Sequence, residues 1–152
     1  MKKSIYSSLL AFTMLIAVVS CKKATPITER IKKAWSVQSV KENGTLVYTK
    51  GGTANKVPGY AKFSLNLLSP PTFTMREVDD NSFSGQYLIS GADDKLGTGT
   101  LSLKGISPVP TGSNGTIDLT ITSITAVQMV LVRSSTNPKT GATSTEYTLV
   151  TP

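Results

Sequence analysis

Two regimes of hydrophobic patterning divide the chain. From Leu9 to Val19 apolar residues run almost unbroken, through Leu10, Ala11, Phe12, Met14, Leu15, Ile16, Ala17 and Val18. Beyond Lys33 the repeat is two. The clearest case is Tyr60 to Leu67, where Ala61, Phe63, Leu65 and Leu67 alternate with Lys62, Ser64 and Asn66, the pattern of a strand buried on one face. Phe73 and Met75 alternate with Thr72, Thr74 and Arg76, while Phe83, Gly85, Tyr87 and Ile89 share a face opposite Ser84 and Gln86. Ile117, Leu119 and Ile121 alternate with Thr116, Asp118, Thr120 and Thr122. Val127, Met129 and Leu131 alternate with Gln128, Val130 and Val132, which makes that strand apolar on both faces. Weaker strands are expected at Trp35 to Val40, Thr45 to Thr49, Thr100 to Lys104 and Thr145 to Val150.

Turn chemistry fills the gaps. Asn43-Gly44 suits a tight hairpin because both residues tolerate positive φ. Asp79-Asp80-Asn81, Asp93-Asp94 and Asn137-Pro138 read as polar turns, Pro70-Pro71 forbids local ladder pairing, and Pro108 to Gly115 is a longer loop. Thr28 to Lys33 suits one helical turn with Thr28 as its cap. Eight or nine short strands joined this way predict an all-β, antiparallel up-and-down meander, closed into a barrel or folded as a sandwich. Thr- and Ser-rich outer faces fit strands with one side in water.

The apolar run at the start has a different meaning. Lys2 and Lys3 precede it, and Lys22 and Lys23 close it short of the roughly 20 residues needed to cross a bilayer. That is a signal-peptide layout. It ends Val18-Val19-Ser20-Cys21, which resembles the lipobox of bacterial lipoproteins. The resemblance implies cleavage before Cys21 and thioether-linked acyl chains on its sulfur. Two or more such chains hold a protein firmly, whereas one binds only marginally. The expected parts are a signal peptide over 1–20, a tether over 21–30 and one barrel domain over 31–152. In that family acidic residues after the cysteine accompany surface export. Here Lys22-Lys23-Ala24 follow, which points to the cell envelope, at the outer membrane and facing the periplasm.

Composition narrows the chemistry. The chain has no histidine, and Cys21 is its only cysteine. Disulfides, thiolate sites, structural zinc and Ser-His-Asp triads are thereby excluded. No catalytic residues, metal or cofactor are expected, and the reading is not an enzyme. Asp79, Asp80 and Asn81, like Asp93 and Asp94, lack the spacing of a calcium loop. Glu77 and Asp79 have nothing to fix them as a glycosidase pair, and Gly97-Thr98-Gly99-Thr100 lacks the Lys of a phosphate loop. The net charge of +7 falls to +5 once Lys2 and Lys3 leave. Lys22, Lys23, Arg30, Lys32 and Lys33 crowd the mature N-terminus, where they could meet anionic head groups. Elsewhere the cations are scattered, so nucleic acid is not an expected partner.

The body of the chain resembles the lipocalin-like domains of small bacterial lipoproteins. The residues that carry this are Ile31, Trp35, Val37, Ser39, Val40, Asn43 and Gly44, then Met129-Val130-Leu131-Val132-Arg133 and Tyr147-Thr148-Leu149. Lys33 stands where lipocalins proper carry a Gly in their Gly-x-Trp motif. The resemblance implies a lipocalin-like barrel closed at one end by Trp35 beneath Arg133, a cation–π pair within about 6 Å. It also implies a small apolar ligand. The surface to hold it would be the inward row of Phe63, Leu65, Phe73, Met75, Tyr87, Ile89, Leu119, Ile121, Met129 and Leu131. An eight-stranded interior is wide enough either to be filled or to hold one small molecule. The alternative is a structural or inhibitory envelope lipoprotein acting through protein contacts at loops such as Pro108 to Gly115.

Overall fold

A computed structural model describes residues 24–152, so the leader and the first three tether residues, Cys21 to Lys23, lie outside the described residues. Nine antiparallel strands form a single sheet among them: β1 (Ala34–Glu42), β2 (Thr45–Thr49), β3 (Ser64–Asn66), β4 (Thr72–Arg76), β5 (Ser82–Asp93), β6 (Thr98–Ser107), β7 (Thr116–Ile124), β8 (Gln128–Arg133) and β9 (Thr145–Val150). β1 pairs with β9 from Ser36↔Val150 to Glu42↔Thr145, and this closes the meander. The other edge of β1 is shared. Its first residues pair with β3 and its last ones with β2. The result is an eight-stranded up-and-down barrel, the architecture of lipocalins, with β2 as an added hairpin arm. Closure leaves no long free edge to recruit another chain.

The period-two pattern places the core. Leu65, Leu67, Leu101, Leu103, Ile121, Met129, Leu131 and Leu149 are fully buried and belong to one cluster with Trp35, Val40, Tyr60 and Phe73. Gly85 has a packing reason. A Cβ there would sit 2.6 Å from the Lys104 carbonyl oxygen and 2.9 Å from Cε1 of Phe73, beside an irregularity in β5–β6 pairing. The Phe73 ring occupies the space that a side chain at this position would need.

Several expectations shift. Tyr60 to Leu67 is not one strand, because Pro58–Lys62 winds a 3-10 helix and only Ser64–Asn66 pairs. Pro58 near the helix start and Gly59 against the Val78 carbonyl favour that tight turn. The helical turn expected from Thr28 is α1 (Ile27–Arg30), with Pro26 at its N-cap and no side-chain cap. Ile27 and Ile31 are fully buried, so the packed unit begins at Ile27, inside the expected tether, rather than at Ile31. Val127 leaves the inward row. It sits in the β7–β8 turn and is exposed.

Candidate functional site

The meander gives the barrel two ends built from different residues. At the near end, where the chain enters, lie α1 and the connections 67–71, 94–97 and 125–127. At the far end lie the connections 43–44, 77–81, 108–115 and 134–144, together with the Pro58–Lys62 helix.

α1 plugs the near end. Ile27 and Ile31 enter the core, and the indole N–H of Trp35 donates to the Ile31 carbonyl at 2.9 Å. The Arg30 guanidinium donates to the carbonyls of Ile124 (2.6 Å) and Asp94 (2.7 Å), and the Asp94 carboxylate accepts the Ile27 N–H at 2.8 Å. Gly97 makes the clamp possible. Its φ is +71°, and a Cβ would meet Arg30 Nη1 at 3.2 Å and the Ile124 oxygen at 3.1 Å.

Aromatic rings and charges close the far end. Phe63 stacks on Tyr147 with centroids 4.6 Å apart, Tyr60 meets Tyr147 edge-on at 6.0 Å, and Tyr48 lies 6.3 Å from Tyr60. The Tyr60 hydroxyl donates to Glu42 at 2.5 Å. Beside the rings, Glu77 is buried between Arg133 (Nη1 at 4.0 Å) and Lys139, which also reaches Asp79 at 2.7 Å. Lys139 Nζ lies 5.0 Å from the Phe83 ring centre. Burial pulls Asp79 upward, but hydrogen bonds from Lys139 and Asn81 outweigh it and hold its carboxyl below the usual range. Burial works against the Lys139 charge too, yet its bonds to Asp79 and Glu77 prevail and raise it. Burial, reinforced by neighbouring Tyr147 and Glu42, pushes the Tyr60 phenol well up, and burial does the same to Tyr147. Glu77 and Asp79 are thus bridged by one lysine and serve as its counter-ions.

Trp35 and Arg133 are both buried, but they do not form the expected pair. Trp35 precedes Ser36, which is level with Val150 and so with Gln128. Arg133 lies five residues further along β8, about 17 Å at roughly 3.4 Å per residue. Register sets them at opposite ends. Lys33 supplies the cation near Trp35, at 5.9 Å from the ring centre. Arg133 instead faces Glu77 and bonds Ser135 through Nε at 3.0 Å.

The ten inward residues divide. Phe63, Leu65, Phe73, Met75, Leu119, Ile121, Met129 and Leu131 are buried in the core, and Tyr87 and Ile89 are partly buried against it. Four concavities map elsewhere among the described residues. A 580 Å³ saddle crosses the outer wall at Thr72, Thr74, Ser84, Gln86 and Lys104, and a 110 Å³ hollow adjoins it at Asn66 and Ser69. A 190 Å³ apolar cleft lies between Pro70, Pro71, Tyr87, Leu88 and Ile89 beside α1. At the far rim a 360 Å³ hollow is lined by Ser113, Thr116, Asp118, Arg133, Ser134 and Ser135, among others. Seven of the ten, all but Phe73, Tyr87 and Ile89, line none of these four. They belong to the buried core cluster.

Sequence reasoning set Glu77 aside as a glycosidase carboxylate and gave Lys139, Tyr60 and Tyr147 no role at a site. A signal existed for Glu77, which continues the inward phase of Phe73 and Met75, as Arg133 continues that of Met129 and Leu131. Two opposite charges in inward phase at one end call for each other.

No family model matches the chain, and no curated protein matches it. Among solved structures, a lipocalin-like protein from Bacteroides uniformis ATCC 8492 is similar over 81% of this chain and 99% of that one, at 14% identity with a TM-score of 0.48.

Proposed function

We propose that this chain is a membrane-anchored, non-catalytic binding module of the cell envelope that presents the far end of its barrel to a polar partner. The observation that carries this reading is the far-rim hollow. Its 360 Å³ falls within the range of small-molecule and side-chain pockets. Ser113, Thr116, Ser134 and Ser135 line it together with Arg133 and Asp118. The ion cluster behind fixes Arg133, so the donors are pre-positioned and little ordering is needed on binding. Hydroxyl-rich or carboxylate-bearing envelope groups fit that chemistry. The lipobox-like Val18-Val19-Ser20-Cys21 supports acyl chains on Cys21, and the Lys22-Lys23-Ala24 that follow support an outer-membrane anchor facing the periplasm. The chain enters at the near end, so an anchored barrel turns its far end outward.

A second reading, a small apolar ligand, is favoured by the cleft beside α1. Tyr87 and Ile89 of the inward row face it, and its walls are mostly carbon. At 190 Å³ it holds a short acyl segment rather than a whole lipid.

A photo-crosslinking amino acid at Ser135, compared with one at exposed Ser123 on the wall, separates the two readings. In producing cells, rim-specific adducts are expected from position 135, and they disappear when Ser113→Trp fills the hollow. Absence of rim adducts, with native mass spectrometry finding one apolar molecule per barrel purified from its own envelope, would overturn the first reading in favour of the second.

A further inference from the structure

We propose that the near end of the barrel docks on an anionic lipid surface, with Leu68, Leu96 and Val127 as its contact points. This rests on the lipid-anchor reading for its geometry. Each of the three strand connections at that end carries one large exposed aliphatic residue: Leu68 in 67–71, Leu96 in 94–97 and Val127 in 125–127, at 56%, 72% and 63% exposure. The four connections at the far end carry one exposed residue of that kind, Val109. Exposed aliphatics are common singly. A full set on one rim is a patch, and patches mark contact surfaces.

Two further observations select lipid as the occupant. The first is chain length. Six residue steps separate Cys21 from Ile27, at most about 20 Å when extended. Acyl chains on Cys21 would hold this end, and no other, against the head groups. The second is charge. Lys33 and Lys95 lie at this end, with Lys22 and Lys23 just upstream, while Lys32 is paired with Glu29. Its acids are already engaged: Asp94 by the Ile27 N–H, Asp93 by the Lys95 and Leu96 N–H groups, Glu29 by Lys32. Cations around aliphatic tips match the interfacial layer of an anionic leaflet, where lysine stems lie along carbon and their heads meet phosphate. The barrel would thus stand on its membrane with its far rim upright, rather than swing on its tether.

The test uses the absence of any cysteine but Cys21. In the processed chain carrying Cys21→Ser, a bimane label is placed at Leu96→Cys, Val127→Cys or Val109→Cys. Each protein is mixed with phosphatidylethanolamine–phosphatidylglycerol vesicles containing doxyl-lipid quenchers, and with phosphatidylcholine vesicles as the neutral control. Quenching is expected at positions 96 and 127 but not at 109. It should occur on the anionic vesicles and weaken as salt rises. Leu68→Ser should weaken vesicle binding about tenfold. Equal quenching at 96 and 109, or none on anionic vesicles, overturns the proposal. Dimerisation through labelled positions 96 and 127 in the absence of lipid also overturns it, and assigns the face to a second copy. The anchor is judged separately. If the chain with native Cys21, produced in cells, fails to float with membranes, the anchor fails while the soluble chain still decides the docking.

Discussion

The two ends of this barrel are closed by opposite means. Near the chain's entry the seal is mainly aliphatic: Ile27 of α1 and Ile31 just after it are fully buried in the cluster that holds Trp35. The polar groups there tie α1 down: the Arg30 clamp on two carbonyls, Asp94 on the Ile27 N–H and the indole on the Ile31 carbonyl. At the far end the seal is aromatic and ionic, with Tyr60, Phe63 and Tyr147 beside Glu77, Arg133 and Lys139. An apolar plug gains from every buried carbon, in rough proportion to area. A buried ion cluster is close to neutral in stability, but it fixes side chains in place. The near end is built to hold and the far end to position, which fits an anchor at one and recognition at the other.

Substitutions should expose this asymmetry. Trp35→Ala removes the largest fully buried side chain of the near end and is expected to cost about 4 kcal/mol in urea unfolding. Glu77→Ala leaves buried Arg133 without its carboxylate and half-buried Lys139 with Asp79 alone, and about 3 kcal/mol should be lost. Restoring length without charge, as Glu77→Gln, should recover only part of that. If Glu77→Ala proves neutral, the far-end cluster is solvated and the contrast dissolves.

Alkali should attack the far end most strongly, although burial also raises the Tyr87 phenol toward the near end. The Tyr60 and Tyr147 phenols have their pKa raised above the ordinary 10.0 by burial. The unfolded chain therefore ionises first, and stability is intact below pH 10 and falls as pH climbs past it. Tyr147→Phe should flatten that decline by about 1 kcal/mol between pH 10 and pH 11, as read from denaturation midpoints. Asp79 has the opposite sign. Its lowered pKa gives stability that is present above the ordinary 3.8 and disappears as pH falls below it. Smallest of all is the exposed pair Lys41–Glu146 across β1 and β9, at 2.9 Å, whose removal should change stability by under about 0.5 kcal/mol.

Much of the barrel was legible in the sequence because period two is a direct record of which face is buried. Thr45–Thr49, Thr72–Arg76 and Thr145–Val150 emerge as strands with the expected bounds. Closure was not legible from the pattern alone, since pairing of β1 with β9 joins segments over a hundred residues apart and alternation reports faces, not partners. The same limit undid the Trp35–Arg133 contact. Phase placed both side chains inward, while height along the barrel depends on register. Eight residues of the inward row are buried and Tyr87 and Ile89 partly so, while alternation within strands gave no sign that Tyr60 and Ile27 also enter the core, because they arrive from outside the strands. The far-end cluster escaped because Lys139 reaches it from a loop, where no periodicity applies.

Hydrogen exchange of the anchored protein on anionic vesicles, compared with the Cys21→Ser chain free in solution, puts the two-ended account to its most direct trial. Slower exchange is predicted on the membrane in 67–71, 94–97 and 125–127, with no change in 77–81, 108–115 or 134–144. Protection at the far connections, or identical exchange at both ends, would contradict it.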